Sequence, residues 1–383
     1  MIKILFFIET LKAGGAEKVM IDLVNHMDQT KFDVTVQTVW PCDASKYLVP
    51  GIRSNSMYAT ESKANHLRYR VEAESGLAYR LHIKDDYDIE CAYLEMGPTK
   101  VLSASTNKKS KKLAWVHCDL TKAVSDPQAF AAKAAPWYAK FDRIVCVSQN
   151  VKERFDELFE GRFNSTVLYN VIDDAAIREK ATLPLPAGVK KRRFTVLSVG
   201  RFSPPKNFLR LLQAHKRLLD EGLQHDLWIL GEGSERPMLE QYVAENGLQD
   251  SVWMPGYIEN PYPFMREADL LACSSIYEGY STFMTEGLIL GKPIVTTDVS
   301  GMRELLGDSE YGLIVENDDE AFYQGMRRML TDAKLREEYS KRAALRGNDF
   351  SAELLTKKTQ AFFEELTGGY NGTKNYDSGE QLR

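Results

Sequence analysis

The feature that most constrains this chain is a rhythm of short apolar runs, each leading through a turn into a helically spaced segment. The rhythm runs through one half, lapses, and restarts. Residues 4–8 are apolar without interruption, and Val19, Met20, Leu23, Val24 and Met27 then recur at helical spacing. Further strand-like runs lie at 32–39, 89–93, 112–117, 143–147 and 166–169. A strand with no polar alternation is buried on both faces, which requires helices on both sides of a parallel sheet. The expected fold class is therefore α/β.

Residues 173–193 break the pattern with Leu183-Pro184-Leu185-Pro186-Ala187-Gly188 and the basic run Lys190-Lys191-Arg192-Arg193, which reads as a linker ending in solvated charge. Strand-like runs resume at 194–199, 227–230, 270–273, 294–296 and 313–315. Residues 318–365 read as helical, and 368–383 as a frayed tail.

The chain has 49 Lys+Arg against 54 Asp+Glu, a net charge of −5 among 383 residues, so no global cationic field exists to hold nucleic acid. An anion must be held by a local site. Cys42, Cys91, Cys118, Cys146 and Cys273 are far apart with no CxxC pair, which predicts reduced thiols and no metal site of that kind. The N-terminal apolar run is cut short by Glu9, too soon for a signal peptide or membrane span, so the expected location is cytoplasmic.

In open parallel sheets, ligands gather beyond the carboxyl ends of the strands. Three turns suit that position. Gly14-Gly15 follows the first strand and opens a helix. Gly200-Arg201-Phe202-Ser203-Pro204-Pro205-Lys206 places a planar guanidinium and an ammonium across a double proline, which suits a diphosphate. Glu278-Gly279-Tyr280-Ser281-Thr282 precedes a helix carrying Glu286. Backbone N–H groups of that turn suit an anion, and the two carboxylates suit sugar hydroxyls. Cations for a diphosphate and acids for vicinal hydroxyls together describe a nucleotide sugar.

With "GGAEKV" at 14–19, "WVHCD" at 115–119, "LYNVID" at 168–173, "VGRFSPPKN" at 199–207 and the E-x7-E pair Glu278/Glu286, the chain resembles retaining glycosyltransferases of family 4, within it those of bacterial lipopolysaccharide cores, capsules and other surface glycans. The resemblance implies the GT-B architecture: Rossmann-like domains over 1–185 (acceptor) and 186–345 (donor), facing across a cleft, with 346–367 crossing back. It implies catalytic roles for Arg201, Lys206, Glu278 and His117. Arg201 and Lys206 would neutralise the donor diphosphate, and Glu286 would accept from the ribose. Glu278, Gly279, Tyr280, Ser281 and Thr282 would contact the transferred sugar and its phosphate. Gly14, Gly15 and Gly200 would flank the diphosphate, while Gly231, Gly233, Tyr257 and Ile258 would lie near the base. His117 and Asp119 would stand on the acceptor side. The chain departs from the commoner E-G-F-G-L-P pattern at Ser281, Thr282 and Phe283.

The implied activity is retaining transfer from a nucleotide diphosphate sugar, a UDP-sugar first, to a glycan or lipid-linked glycan, with no metal or other cofactor. A nucleotide-sugar epimerase and a noncatalytic binding subunit are the alternatives. Gly231-Glu232-Gly233 opens like a dinucleotide fingerprint, but Arg236 holds its third glycine position. The D-x-D spacing within residues 85–88 reads as solvated acid. Lys108, Lys109, Lys111 and Lys112, with residues 130–141 nearby, are candidates for peripheral contact with anionic membrane.

Overall fold

The computed structural model describes residues 1–12 and 14–368, so most of the expected tail lies outside the described residues. The chain divides into two compact units. The first comprises Met1–Ile172 and the chain from Ser351, and the second Asp173–Phe350.

The first unit holds a seven-stranded sheet: β1 (Ile2–Ile8), β2 (Phe32–Thr38), β3 (Arg53–Ser56), β4 (Ile89–Ala92), β5 (Lys111–Val116), β6 (Arg143–Cys146) and β7 (Ser165–Val167). Their spatial order is β3-β2-β1-β4-β5-β6-β7, with every pair parallel. The second unit holds β8 (Thr195–Val199), β9 (Asp226–Leu230), β10 (Val252–Gly256), β11 (Leu270–Cys273), β12 (Ile294–Thr297) and β13 (Leu313–Val315). Their order is β10-β9-β8-β11-β12-β13, again all parallel. In both sheets the order reverses beside the first strand, at β1/β4 and at β8/β11, where adjacent connections leave in opposite directions and open a crevice.

The central strands are buried on both faces, as their unbroken apolar runs require: residues 4–8 of β1 and all of β9 and β11 are inaccessible or nearly so. Helix Phe208–Asp220 turns Phe208, Leu211, Leu212 and Leu218 onto the second sheet and faces solvent with its charged side.

The structure departs from three expectations. The boundary falls after Ile172 rather than after 185, because the expected linker contains the helix Asp174–Ala181, capped by Asp173 and packed on helices Tyr262–Glu267 and Thr282–Ile289. The run at 190–193 is not merely solvated: Lys191 pairs with Asp269 at 2.6 Å, and Arg193 reaches the buried Asp226 at 2.7 Å. The return to the first unit comes after Phe350, not after 345. Helix Ala352–Leu366 then seats Phe363 among Phe6, Phe32 and Trp115 at ring separations of 6.1, 6.4 and 6.3 Å. Gln360 accepts from the Asp28 N–H at 2.7 Å.

Candidate active site

In the second unit every sequence-predicted residue lies at the carboxyl edge of the sheet. Gly200, Arg201 and Lys206 follow β8, and Gly231 and Gly233 follow β9. Tyr257 and Ile258 follow β10, and the segment from Ser274 to Glu286 follows β11. These four strands are contiguous, and β8/β11 is the point of reversal.

The loop after β8 makes a short 3-10 turn at Pro204–Lys206 and enters helix Phe208–Asp220 through Asn207, whose left-handed backbone lets its side chain cap Arg210 N. This aims Lys206 across the reversal point, where its Nζ donates to Glu278 Oε1 at 2.6 Å. Ser275 Oγ donates to the same oxygen at 2.7 Å. Two bonds to main-chain carbonyls lock the loops together: Ser274 Oγ donates to that of Lys206 at 2.9 Å and Ile276 N to that of Pro205 at 2.7 Å. Burial works against the Lys206 charge, but Glu278 outweighs it and holds the ammonium above its ordinary pKa. Arg201 is exposed, has no ion-pair partner among the described residues, and lies near enough for its charge to oppose that of Lys206. One cation is thus anchored and the other is available, an arrangement suited to an incoming dianion.

Beside them begins helix Thr282–Ile289, capped by Ser281, whose hydroxyl accepts from Met284 N at 3.5 Å. The departure from the commoner pattern at 281 therefore supplies the helix cap. The N–H groups of Gly279, Ser281, Thr282 and Phe283 have no acceptor among the described residues and offer donors to an anion. Glu286, one turn inside, is buried and accepts from Tyr262 Oη at 3.1 Å. Tyr262 was missed in the sequence, because a lone tyrosine among prolines carries no motif.

The glycines here are structural necessities. A Cβ on Gly231 (φ +150°) would lie 1.9 Å from the Gly200 carbonyl oxygen, and one on Gly233 (φ +159°) 2.2 Å from that of Phe202. Gly301 (φ +79°) would press on the Gly279 oxygen at 2.6 Å. They let the loops after β8, β9, β11 and β12 touch backbone to backbone.

In the first unit Gly14 caps and Gly15 begins helix Gly15–His26. His117 directly follows β5 with its ring 4.9 Å from Tyr93, and its buried Nε2 has no partner among the described residues. Burial pushes its pKa down to about 3, so the imidazole is neutral near pH 7. Asp119 is wholly buried and caps the next helix, accepting from Thr121 N at 3.0 Å.

Sequence reasoning passed over Glu95 and Glu9. Glu95 Oε1 accepts from the backbone N–H of His117 and from that of Cys118 at 3.1 Å, tying the end of β4 to the end of β5. Glu9 lies beyond β1, and a Cβ on Gly97 would meet its Oε1 at 2.5 Å and Tyr69 Oη at 2.6 Å. Burial raises the pKa of both glutamates. The carboxyl edge around the first reversal point therefore carries polar groups suited to hydroxyls rather than to anions.

The Glycosyl transferases group 1 family profile matches residues 181–346. An N-acetylgalactosamine-N,N'-diacetylbacillosaminyl-diphospho-undecaprenol 4-alpha-N-acetylgalactosaminyltransferase of Campylobacter jejuni is 30% identical over 358 residues, covering 91% of this chain and 95% of its own. The lipopolysaccharide core biosynthesis glycosyltransferase LpsE of Rhizobium meliloti is 29% identical over 233 residues, 57% of this chain and 63% of its own. Among solved structures, sucrose-phosphate synthase from Thermosynechococcus elongatus superposes with a TM-score of 0.79 at 19% identity, over 97% of this chain and 100% of its own. Anabaena HepE in complex with UDP-glucose gives 0.77 at 19% identity, over 95% and 100%. These neighbours share the GT-B fold. By fold, by the order of its strand-end loops and by near-full-length similarity, the chain belongs to the glycosyl transferases group 1 family.

Proposed function

We propose that the protein is a retaining, metal-independent glycosyltransferase that moves a sugar from a UDP-sugar to a hydroxyl of a lipid-linked glycan in bacterial surface-polysaccharide synthesis. The observation that carries this reading is the convergence of Lys206, Arg201 and the N-terminus of helix Thr282–Ile289 at one strand-end crevice. The UDP-glucose complex of HepE supports the nucleotide, and the printed activity of the Campylobacter relative, on a diphospho-undecaprenol-linked sugar, supports the acceptor class.

In the reaction the glycosidic C–O bond to the diphosphate breaks and negative charge grows on the departing oxygen. Lys206, Arg201 and the open N–H groups stabilise that charge, which is where electrostatic preorganisation contributes most. Glu286, oriented by Tyr262, accepts from the ribose hydroxyls. Glu278 faces the transferred sugar, and its engagement by Lys206 and Ser275 argues against a nucleophilic role. The acceptor oxygen then attacks on the face the diphosphate leaves, and its proton passes to the departing phosphate oxygen. Neutral His117, Glu9 and Glu95 provide hydroxyl-binding groups on the acceptor side.

A thermal-shift screen of nucleoside diphosphate sugars, with chelator present, followed by product analysis with a lipid-linked acceptor, tests the assignment. A preferred UDP-sugar and a glycosylated lipid are expected. Conversion of the donor with no acceptor would indicate an epimerase, and binding with neither transfer nor hydrolysis a noncatalytic subunit. No shift with any nucleotide sugar would overturn the donor site itself.

A further inference from the structure

We propose that the outward sides of helices Lys63–Glu74 and Leu77–His82 form a docking face for an anionic lipid surface. The two helices pack together around the left-handed turn at Gly76 (φ +72°). Their inward sides are fixed by polar contacts: Glu72 accepts from Tyr58 Oη at 2.7 Å and lies 2.7 Å from His82 Nε2. Their outward sides expose Leu67 (62%), Val71 (59%), Leu77 (48%) and Leu81 (45%), an i, i+4 pair on each helix. Four large aliphatic side chains exposed on two consecutive, mutually packed helices mark a candidate interaction surface.

The charge around them identifies the occupant. Lys63, Arg70, Arg80 and Lys84 alternate with these aliphatics in sequence and have no ion-pair partner among the described residues. Most neighbouring acids have a cation of their own: Glu61 pairs with Lys12 at 3.2 Å, Glu72 with Arg68 at 2.6 Å and Glu74 with Lys100, while Asp85, 3.7 Å from Arg53, shares that guanidinium with Asp33. Asp86 and Asp88 have no ion-pair partner among the described residues, against four such cations. The face is therefore apolar and cationic. Long Lys and Arg stems can lie along an apolar surface and lift their charges to lipid phosphates, while the aliphatics enter the headgroup boundary. A second protein fits less well: a stable interface needs about 800 Å² per partner with an aromatic-rich, lysine-poor centre.

The region expected from sequence is less suited. Lys111 pairs with Asp142 at 3.6 Å and Lys112 Nζ donates to the Asn107 carbonyl at 2.8 Å. Over 130–141 the aromatic residues are buried or half-buried, with Tyr138 in the core.

The test is co-sedimentation of the full chain, without donor or acceptor, with vesicles of phosphatidylethanolamine and phosphatidylglycerol, and with phosphatidylcholine vesicles as comparison. The wild-type chain should bind the anionic vesicles and release in high salt. Changing Leu67, Val71, Leu77 and Leu81 together to serine should lower partitioning by about tenfold or more with an unchanged melting temperature. Changing Lys63, Arg70, Arg80 and Lys84 together to glutamine should remove the salt dependence. Unchanged sedimentation of the serine variant, or no binding by the wild type, would overturn the proposal. So would wild-type self-association that the serine variant lacks, since that would make a second copy the occupant. The readout involves no sugar transfer, so its failure leaves the proposed reaction standing.

Discussion

Replacing Lys206 by alanine separates two roles of one ammonium. Its Nζ lies 2.6 Å from Glu278, with the lysine side chain 27% and the glutamate 11% exposed. Exposed pairs contribute about 0–1 kcal/mol, whereas stranding a fully buried partner costs about 3–5 kcal/mol. Lys206 retains some solvent and Ser275 keeps its hydrogen bond to Glu278, so the stability loss should be about 1–2 kcal/mol. At about 2–4 °C per kcal/mol for a domain of this size, Tm should fall by roughly 2–8 °C.

The kinetic loss is separate. Removing one preorganised donor to a charge that grows in the transition state costs about 10²–10³ in kcat. The least that preserves the assignment is about tenfold in kcat/KM, or ~1.4 kcal/mol. Glu278→Gln alone should itself lose activity, because Glu278 faces the transferred sugar. Measured against it, the double variant Lys206→Ala/Glu278→Gln distinguishes the roles: glutamine strands no charge, so Tm should recover while kcat/KM stays below that of Glu278→Gln. Scanning calorimetry gives the first quantity and UDP release at saturating acceptor the second. Lys206→Ala turnover within about twofold of wild type would refute the reasoning, since ~0.4 kcal/mol is too little for a leaving-group cation. Activity recovering together with Tm would show that the lysine serves only to neutralise Glu278.

Other changes have defined outcomes. Glu286→Ala should weaken UDP binding by about fivefold or more in calorimetry, and Tyr262→Phe, which removes the 3.1 Å hydrogen bond but keeps the carboxylate, by less. Gly231→Ala should lower Tm by about 4 °C or more, because its Cβ would fall 1.9 Å from the Gly200 oxygen. His215 is buried between His225 at 2.8 Å and Ser251 at 2.9 Å, and burial, with His225 and Arg193 adding to it, pushes its pKa down to about 2. The unfolded chain takes up that proton near pH 6.5, so the stability is fully present above that pH and is lost as pH falls, at about 1.4 kcal/mol per pH unit. Urea unfolding between pH 7 and pH 5 should show this slope, reduced by about one proton in His215→Gln.

What could be read from the sequence follows from how each feature is encoded. Central strands such as β1 and β11 are covered on both faces, so burial writes them as unbroken apolar runs. The edge strands β3 and β10 escaped the same reading. β3 is Arg-Ser-Asn-Ser and wholly exposed, while β10 carries Pro255, tolerated at an edge beside a register shift. The site divides in the same way. Arg201, Lys206, Glu278 and Glu286 each lie within a short motif directly after a strand, so the motif and the strand end locate them together. Glu95 has no motif: its importance lies in the pairing of β4 with β5, which brings it to the backbone of His117, 22 residues onward. Asp226 likewise gains its basic partners only when β9 pairs with β8. Local chemistry survives in a linear reading, whereas contacts created by strand order do not. The Lys206–Glu278 pair belongs to both classes. Its members are recognisable by motif, but they meet because the sheet reverses direction between β8 and β11, and the same reversal opens the crevice in which a diphosphate could reach them.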